Sequence, residues 1–189
     1  MLPAEFYQRD TKLVAQELLG NILVHKTSRG TLSGIIVEVE AYFGDGDPAS
    51  HAARGRTKRS AIMFGESGVA YVYLNYGIHY LLNVVTERKG TPGAVLIRAL
   101  EPLEGKDIMF KNRRVKSETD LTSGPGKLTQ ALGIDLSFNG KSLRSSNFHI
   151  IEGQTAGISI ASSCRIGISV AQDALLRYHV EGNRFVSKK

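Results

Sequence analysis

Gly34-Ile35-Ile36-Val37-Glu38-Val39-Glu40-Ala41-Tyr42 sets apolar, mostly β-branched residues against carboxylates at every second position, with His51 a short loop downstream. Successive side chains of a strand point to opposite faces, so the run predicts a half-buried strand. Strict alternation puts Ile35, Val37, Val39 and Ala41 on one face and Ile36, Glu38, Glu40 and Tyr42 on the other. Two carboxylates and an aromatic ring then share a surface of a sheet otherwise built for burial, which is costly unless they have partners or work. The competing reading is a strand with one solvated face, and for a single isolated Glu that is the commoner case.

Working upstream, Asn21 to Thr27 reads as a strand, Ser28-Arg29-Gly30 as a turn, and Thr31 to Tyr42 as the hairpin partner. Before it, Asp10 suits the N-cap of a helix through Leu19, stopped at Gly20, with Leu13, Val14 and Leu18 as its apolar stripe. Downstream, Gly44-Asp45-Gly46-Asp47-Pro48 begins a loop that carries His51, then Arg54, Arg56, Lys58 and Arg59. Such a basic loop can track a phosphate backbone, and a merely solvated loop looks the same.

Ala70–Leu74 and Tyr80–Val85 read as two further strands, with Asn75-Tyr76-Gly77 at the bend. Four of the chain's seven tyrosines fall between positions 71 and 80, and Tyr71 and Tyr80 suit a sheet face. Tyr76, beside a turn glycine, is hard to bury and easy to present as a wedge. Asn83 interrupts an apolar strand and needs either internal hydrogen-bond partners or a site to serve. Arg98 sits inside the buried-looking strand Gly93–Leu100, where a guanidinium requires an anion; Glu38 and Glu40 are the candidates, in a structural or a functional pair. Pro102 suits the first turn of a helix to about Asn112. Ser123-Gly124-Pro125-Gly126-Lys127 precedes a short helix, Leu128–Leu132, whose free amides and Lys127 could hold a phosphate. It is no nucleotide-binding P-loop, since Leu121 and Leu128 stand where that motif needs Gly and Ser or Thr. Phe148 to Val186 reads as short strands separated by glycines, with a turn of helix near 171–176.

At 189 residues, 42% hydrophobic and 22% charged, the chain suits one domain with a substantial core. Its 24 Lys plus Arg against 18 Asp plus Glu give a formal charge of +6 and a pI near 9.5, which suits a polyanionic partner without requiring one. The single Cys164 excludes an intramolecular disulfide framework and a multi-cysteine zinc site. Met1 to Asp10 lacks a signal-peptide pattern and no apolar run approaches about 18 residues, so an intracellular protein away from membranes is expected.

The motifs also prune the chemistry. His-Glu-x-x-His, Cys-x-x-Cys and Gly-x-Ser-x-Gly are absent. What remains is a carboxylate to activate water, an arginine to hold it, aromatic faces for a flat heterocycle and a basic surface for the strand that bears it. That set suits hydrolysis of a base from nucleic acid after the nucleotide has left the stack. A non-catalytic nucleic-acid module would use the same surface without the acid. A carbohydrate hydrolase would use Glu38 and Glu40 as its carboxylate pair.

The runs Val37–Tyr42, Tyr71–Gly77, Arg98–Gly105 and Ser123–Leu128, with a looser match at Arg165-Ile166-Gly167, resemble the alkyladenine (3-methyladenine) DNA glycosylase family in order and register. The resemblance implies a single α+β domain over residues 1–189, a curved antiparallel sheet with a protruding β-hairpin and short peripheral helices, and neither metal nor organic cofactor. It implies that Glu40 activates water, helped by Arg98 and the main-chain carbonyl of Ile166. Tyr42 and His51 on one side and Tyr73 on the other would sandwich the base, with His51 also reaching a purine's 6-position. Asn83 would crowd the 2-amino group of guanine, and Ile78 and Leu96 would line the pocket. Tyr76, with Gly77 beside it, would fill the gap in the duplex, while Arg54, Arg56, Lys58 and Lys127 meet phosphates. The expected substrates are duplex DNA bearing 3-methyladenine, 7-methylguanine, hypoxanthine or ethenoadenine. Cationic alkylated purines would gain from electron-rich rings. No lysine stands out as a lyase nucleophile, so simple hydrolysis by a monomer is expected, in the cytoplasm or nucleoid of a bacterium or the nucleus of a eukaryote.

Overall fold

The Asn21–Tyr42 hairpin forms as the alternation implies and becomes the spine of the molecule. The computed structural model describes residues 1–187. Strands β1 (Ile22–Thr27) and β2 (Gly30–Phe43) pair antiparallel, with Thr27 opposite Gly30. Next come β3 (Ala70–Asn75), β4 (His79–Val85), β5 (Gly93–Pro102), β6 (Phe148–Ile151), β7 (Ile160–Ser163) and β8 (Arg177–Val180). All join one curved antiparallel sheet in the order β3-β4-β5-β2-β1-β6, with β8 beside the later half of β2 and β7 beyond it. Short helices flank it: α1 (Ala4–Tyr7), α2 (Thr11–Leu18), α3 (Lys106–Arg113), α4 (Thr119–Thr122) and α5 (Pro125–Leu132). This is the expected α+β architecture, and no helix among the described residues is long and apolar enough to cross a membrane.

Strict alternation along β2 fails at one place, and the site depends on it. Ile36 faces Leu100, Glu38 faces Ala99 and Val39 faces Ile97, so the register slips on both sides of Glu38. The main core takes Leu32 and Ile36 before the slip, then Val39 and Ala41 after it. On β5 it takes Val95 and Ile97, then Leu100. Ile36 therefore lies in the core and does not share the face of Glu38, Glu40 and Tyr42. A bulge of this kind bends the strand and redirects a side chain. Here it leaves Arg98 opposite the step between Glu38 and Val39.

Several other boundaries differ from the sequence reading. Pro102 ends β5 opposite Gly34 instead of starting a helix, because pairing continues through Leu103 N–H to the Ser33 carbonyl at 2.8 Å. Helix α5 starts earlier than expected, with Pro125 in its first turn, where the missing N–H costs nothing. Leu13 of α2 is exposed while Val14, Ala15 and Leu18 are buried, and Asp10 caps the helix by accepting from Leu13 N–H at 3.0 Å. Residues 171–173 form a bend and a turn and 174–176 an irregular segment rather than helix, with Ala171 at φ 51°.

Candidate active site

The register slip brings one guanidinium to two carboxylates. Arg98 Nε donates to Glu38 Oε1 at 2.9 Å, and its Nη1 lies 3.2 Å from Glu40 Oε1. Glu38 is then consumed by structure: its Oε1 also accepts from Arg177 Nε at 2.7 Å and Ser187 Oγ at 2.9 Å, and its Oε2 accepts from Ser187 N–H at 2.6 Å. Burial opposes charge on Glu38, but the Ser187 N–H, Arg177 and Arg98 outweigh it and hold the carboxyl below the ordinary range. Glu40 is differently placed. Its Oε1 accepts from Ile166 N–H at 2.7 Å and its Oε2 from the Tyr42 hydroxyl at 2.8 Å. Burial first, then the charge and hydrogen bond of Glu40, raise the Tyr42 phenol so that it stays a donor.

Above these groups opens a cavity of about 660 Å³. Tyr42, His51, Tyr73, Asn83, Leu96, Arg98 and Ile166 all line it, and Tyr76 and Lys127 reach its border. Glu40, 0% exposed, lies directly beneath this lining, held by three of its members. The rings are arranged otherwise than the resemblance implies. His51 and Tyr73 touch, their centroids 4.8 Å apart at 73°. Opposite walls holding a base need about 7 Å between them, twice the contact distance of stacked carbons. His51 and Tyr73 are therefore too close to face each other across a flat ring, and Tyr42 lines the same cavity. His51 Nδ1 lies 2.8 Å from the Tyr71 hydroxyl, and Asn83 Nδ2 donates to the Tyr71 carbonyl at 3.1 Å. Burial, with Arg59 second, lowers the His51 pKa to about 4, so the ring is neutral near pH 7. Burial, with Tyr71 second, pushes the Tyr73 phenol up to about 12.

The two loops that close the cavity are tied together by a pair the sequence reading missed. Arg165 is bidentate on Asp47 at 2.7 Å in both bonds, donates to the Ala41 carbonyl at 3.0 Å and stands 4.7 Å over the Tyr42 ring. It steadies Tyr42 and sets the next peptide, whose N–H reaches Glu40. Ile166 thus meets Glu40 through its amide, where a carbonyl contact to water was expected. Ile78 lies outside the lining, 72% exposed at the tip of the β3–β4 hairpin beside Gly77 and the 84% exposed Tyr76. Arg54, Arg56 and Lys58 are exposed on the loop and stay out of the cavity. Lys127 lies in α5, where its Nζ donates to Asp120 at 3.1 Å and Ser123 at 3.4 Å. Among the described residues no group of three or more His, Cys, Asp or Glu is placed to hold a metal ion.

Fold and site together define a cavity lined by aromatic side chains over a buried carboxylate, with an aromatic-tipped hairpin at its rim. Comparison with known proteins makes the class specific. Residues 5–184 match the methylpurine-DNA glycosylase family, and the chain belongs to it. It is 50% identical over 186 residues to a Prosthecochloris aestuarii protein named "Putative 3-methyladenine DNA glycosylase", covering 97% of this chain and 89% of that one. Proteins of the same name from Carboxydothermus hydrogenoformans and Methanoculleus marisnigri are 49% and 48% identical, covering all of this chain and 100% and 99% of theirs.

Proposed function

We propose that the protein is a monofunctional DNA glycosylase that releases alkylated and deaminated purines by hydrolysis. Family membership supplies the reaction class, cleavage of the N-glycosylic bond of alkylated purines in DNA. The observation that carries the residue roles is the buried Glu40 carboxylate, paired with Arg98 under an aromatic cavity. A carboxylate has about four acceptor positions. Ile166, Arg98 and Tyr42 occupy three, and the remaining one, on Oε2, suits the attacking water. The water oxygen bonds to C1′ as the C1′–N bond breaks with its electron pair going to the base. Glu40 takes the water's proton, while Arg98 holds the carboxylate in place.

Around that step, Tyr42 stacks on one face of the base and Tyr73 with His51 cover the other, while Asn83 limits room at the 2-position. Tyr76 fills the vacated place in the duplex. Arg54, Arg56, Lys58 and Lys127 meet phosphates. The substrate range proposed is 3-methyladenine, 7-methylguanine, hypoxanthine and ethenoadenine in duplex DNA, with no cofactor. A carbohydrate hydrolase is disfavoured because Glu38, its second acid, is engaged by two arginines and Ser187. A non-catalytic module leaves the burial of Glu40 without a purpose.

Incubating duplexes that each carry one lesion with wild type and Glu40→Gln tests this. Wild type should release free base and leave an abasic site that borohydride does not trap on the protein. The variant should bind lesion DNA yet release base about 10²–10⁴-fold more slowly. Equal rates remove Glu40 from the chemistry, and a borohydride-trapped adduct replaces hydrolysis with a lysine lyase.

A further inference from the structure

Arg98 meets two acids with different nitrogens of one guanidinium, which is not the arrangement an arginine and a carboxylate adopt when left to themselves. The favoured contact is a fork, two parallel N–H donors on the two oxygens of one carboxylate. Arg98 instead meets Glu38 through Nε, at 2.9 Å on Oε1, while its Nη1 lies 3.2 Å from Glu40 Oε1. The other oxygen of Glu38 is already taken. Glu38 Oε2 accepts the Ser187 N–H at 2.6 Å, and the Ser187 hydroxyl donates to Oε1 at 2.9 Å, so one residue grips both oxygens and fixes how the carboxylate is turned. Arg177 Nε adds a second cation on Oε1 at 2.7 Å. The segment that carries Ser187 is itself built onto the register slip. Phe185, 1% exposed, packs with Val37 and Ala99, and Val37 is the residue of β2 that the pairing with β5 skips. Just before it, Asn183 Nδ2 donates to Glu101 Oε2 at 2.7 Å and Arg184 Nη2 to Glu118 Oε2 at 3.0 Å. These anchors deliver a main-chain amide to a carboxylate 149 residues away in sequence.

We propose that Ser187 is a positioning residue for the hydrolysis: by holding Glu38 Oε2 it keeps Arg98 from closing a fork on Glu38, and so keeps the guanidinium turned toward Glu40. The inference rests on Glu40 being the acid that activates water. With Oε2 released, the Glu38 carboxylate turns to meet a second nitrogen of Arg98, and Nη1 is drawn away from Glu40. Glu40 then retains the Ile166 N–H and the Tyr42 hydroxyl but loses the cation on its Oε1, and its open acceptor position is no longer fixed on the water. Ser187 is outside the cavity lining, so the loss falls on the chemical step and spares the binding of DNA.

The test compares the whole protein as wild type, Ser187→Pro, Ser187→Ala and Arg98→Lys, with each Ser187 change also placed in the Arg98→Lys background. Proline removes both Ser187 donors, whereas alanine removes the hydroxyl and keeps the N–H. In single-turnover assays on a 3-methyladenine duplex at saturating protein, Ser187→Pro should be slowed about tenfold and Ser187→Ala by less, while half-saturation with lesion DNA moves less than about twofold. A lysine ammonium lacks the planar fork, so in the Arg98→Lys background neither Ser187 change should cost further rate. Equal slowing in both backgrounds overturns the proposal, as does a wild-type rate in Ser187→Pro. Should Ser187→Pro fail to fold, Ser187→Ala in the two backgrounds decides by the same comparison. Crystal structures of wild type and variant read the geometry without reference to activity. The Arg98 Nη1 to Glu40 distance should lengthen from 3.2 Å and a second Arg98 nitrogen should reach Glu38, and an unmoved guanidinium overturns the proposal. If the wild type releases no base from any lesion, the glycosylase reading fails instead, while the crystal structures still decide whether Ser187 sets Arg98.

Discussion

Glu38 and Glu40 stand two residues apart on β2 and end in unlike surroundings, and the difference lies in how each is satisfied. Glu38 gathers two guanidiniums and both donors of Ser187, while Glu40 keeps an acceptor position beside the cavity. Glu38→Gln should therefore act on stability, since it leaves Arg98 and Arg177 facing a neutral amide; breaking a buried pair costs about 3–5 kcal/mol. The sign with pH follows from the depressed carboxyl. The contribution of Glu38 is complete above the ordinary carboxylate pKa and is lost as pH falls through its lower folded value. Urea titrations should show the gap between wild type and variant at pH 7 narrowing on acidification, and a constant gap would mean that the Glu38 charge is not what matters. Arg98 was legible because a cation inside an apolar strand demands an anion. The Ile166 amide was not, since every residue but proline carries that donor and sequence gives it no mark. Arg165 and Asp47 lie in loops without periodicity, so nothing announced that they meet. Arg165 stands over one face of Tyr42, so that ring's quadrupole already serves one cation.

Hairpins, turn positions and the cap at Asp10 were readable because each depends on neighbours in sequence. The register slip in β2 and β5 was not, because it depends on pairing between strands more than fifty residues apart. That slip is what aims Arg98 between two acids, so the site's central contact arises from a break in the pattern that revealed the strand. The α5 start was missed because Gly124-Pro125-Gly126 reads as loop, although proline is at home in a first helical turn. The β3–β4 hairpin sets a residue against its local backbone preference. Tyr76 and Gly77 have φ of 49° and 70°, and Ile78 N–H closes the bend on the Asn75 carbonyl at 3.1 Å. A tyrosine at positive φ is strained where glycine is not. Tyr76→Gly should leave stability equal or higher by up to about 1 kcal/mol, less any extra freedom of the unfolded chain. The same change should slow release of hypoxanthine from duplex by about tenfold or more, since stacking on an aromatic contributes about 1–3 kcal/mol. Thermal melts and single-turnover rates measured together check both halves, and a stability loss without a rate loss would make Tyr76 a structural turn residue.

The molecule carries its positive charge unevenly: Arg54, Arg56, Lys58 and Arg59 are exposed on the loop that also carries His51 to the cavity, whereas Arg98, Arg165 and Arg177 are neutralised internally. These three arginines are balanced by Glu38, Glu40 and Asp47, so the net charge of +6 is carried by the other side chains. If each exposed loop cation meets one phosphate of a duplex, each contributes about −0.9 to the slope of log K against log salt. Replacing Arg54, Arg56 and Lys58 together with Gln should then flatten the slope by about 3 × 0.9, or ~2.7, and weaken lesion-bearing and undamaged duplexes alike. All three side chains are solvent-facing, so stability should stay within about 0.5 kcal/mol of wild type. Arg59 is left in place because its guanidinium stands 4.7 Å over the Tyr73 ring, and its loss would disturb the cavity lining as well as the surface charge. Fluorescence-anisotropy titrations between about 50 and 200 mM salt measure the slope directly. A slope unchanged in the triple variant would place the phosphate path elsewhere, with Lys127 at the cavity border the next position to test.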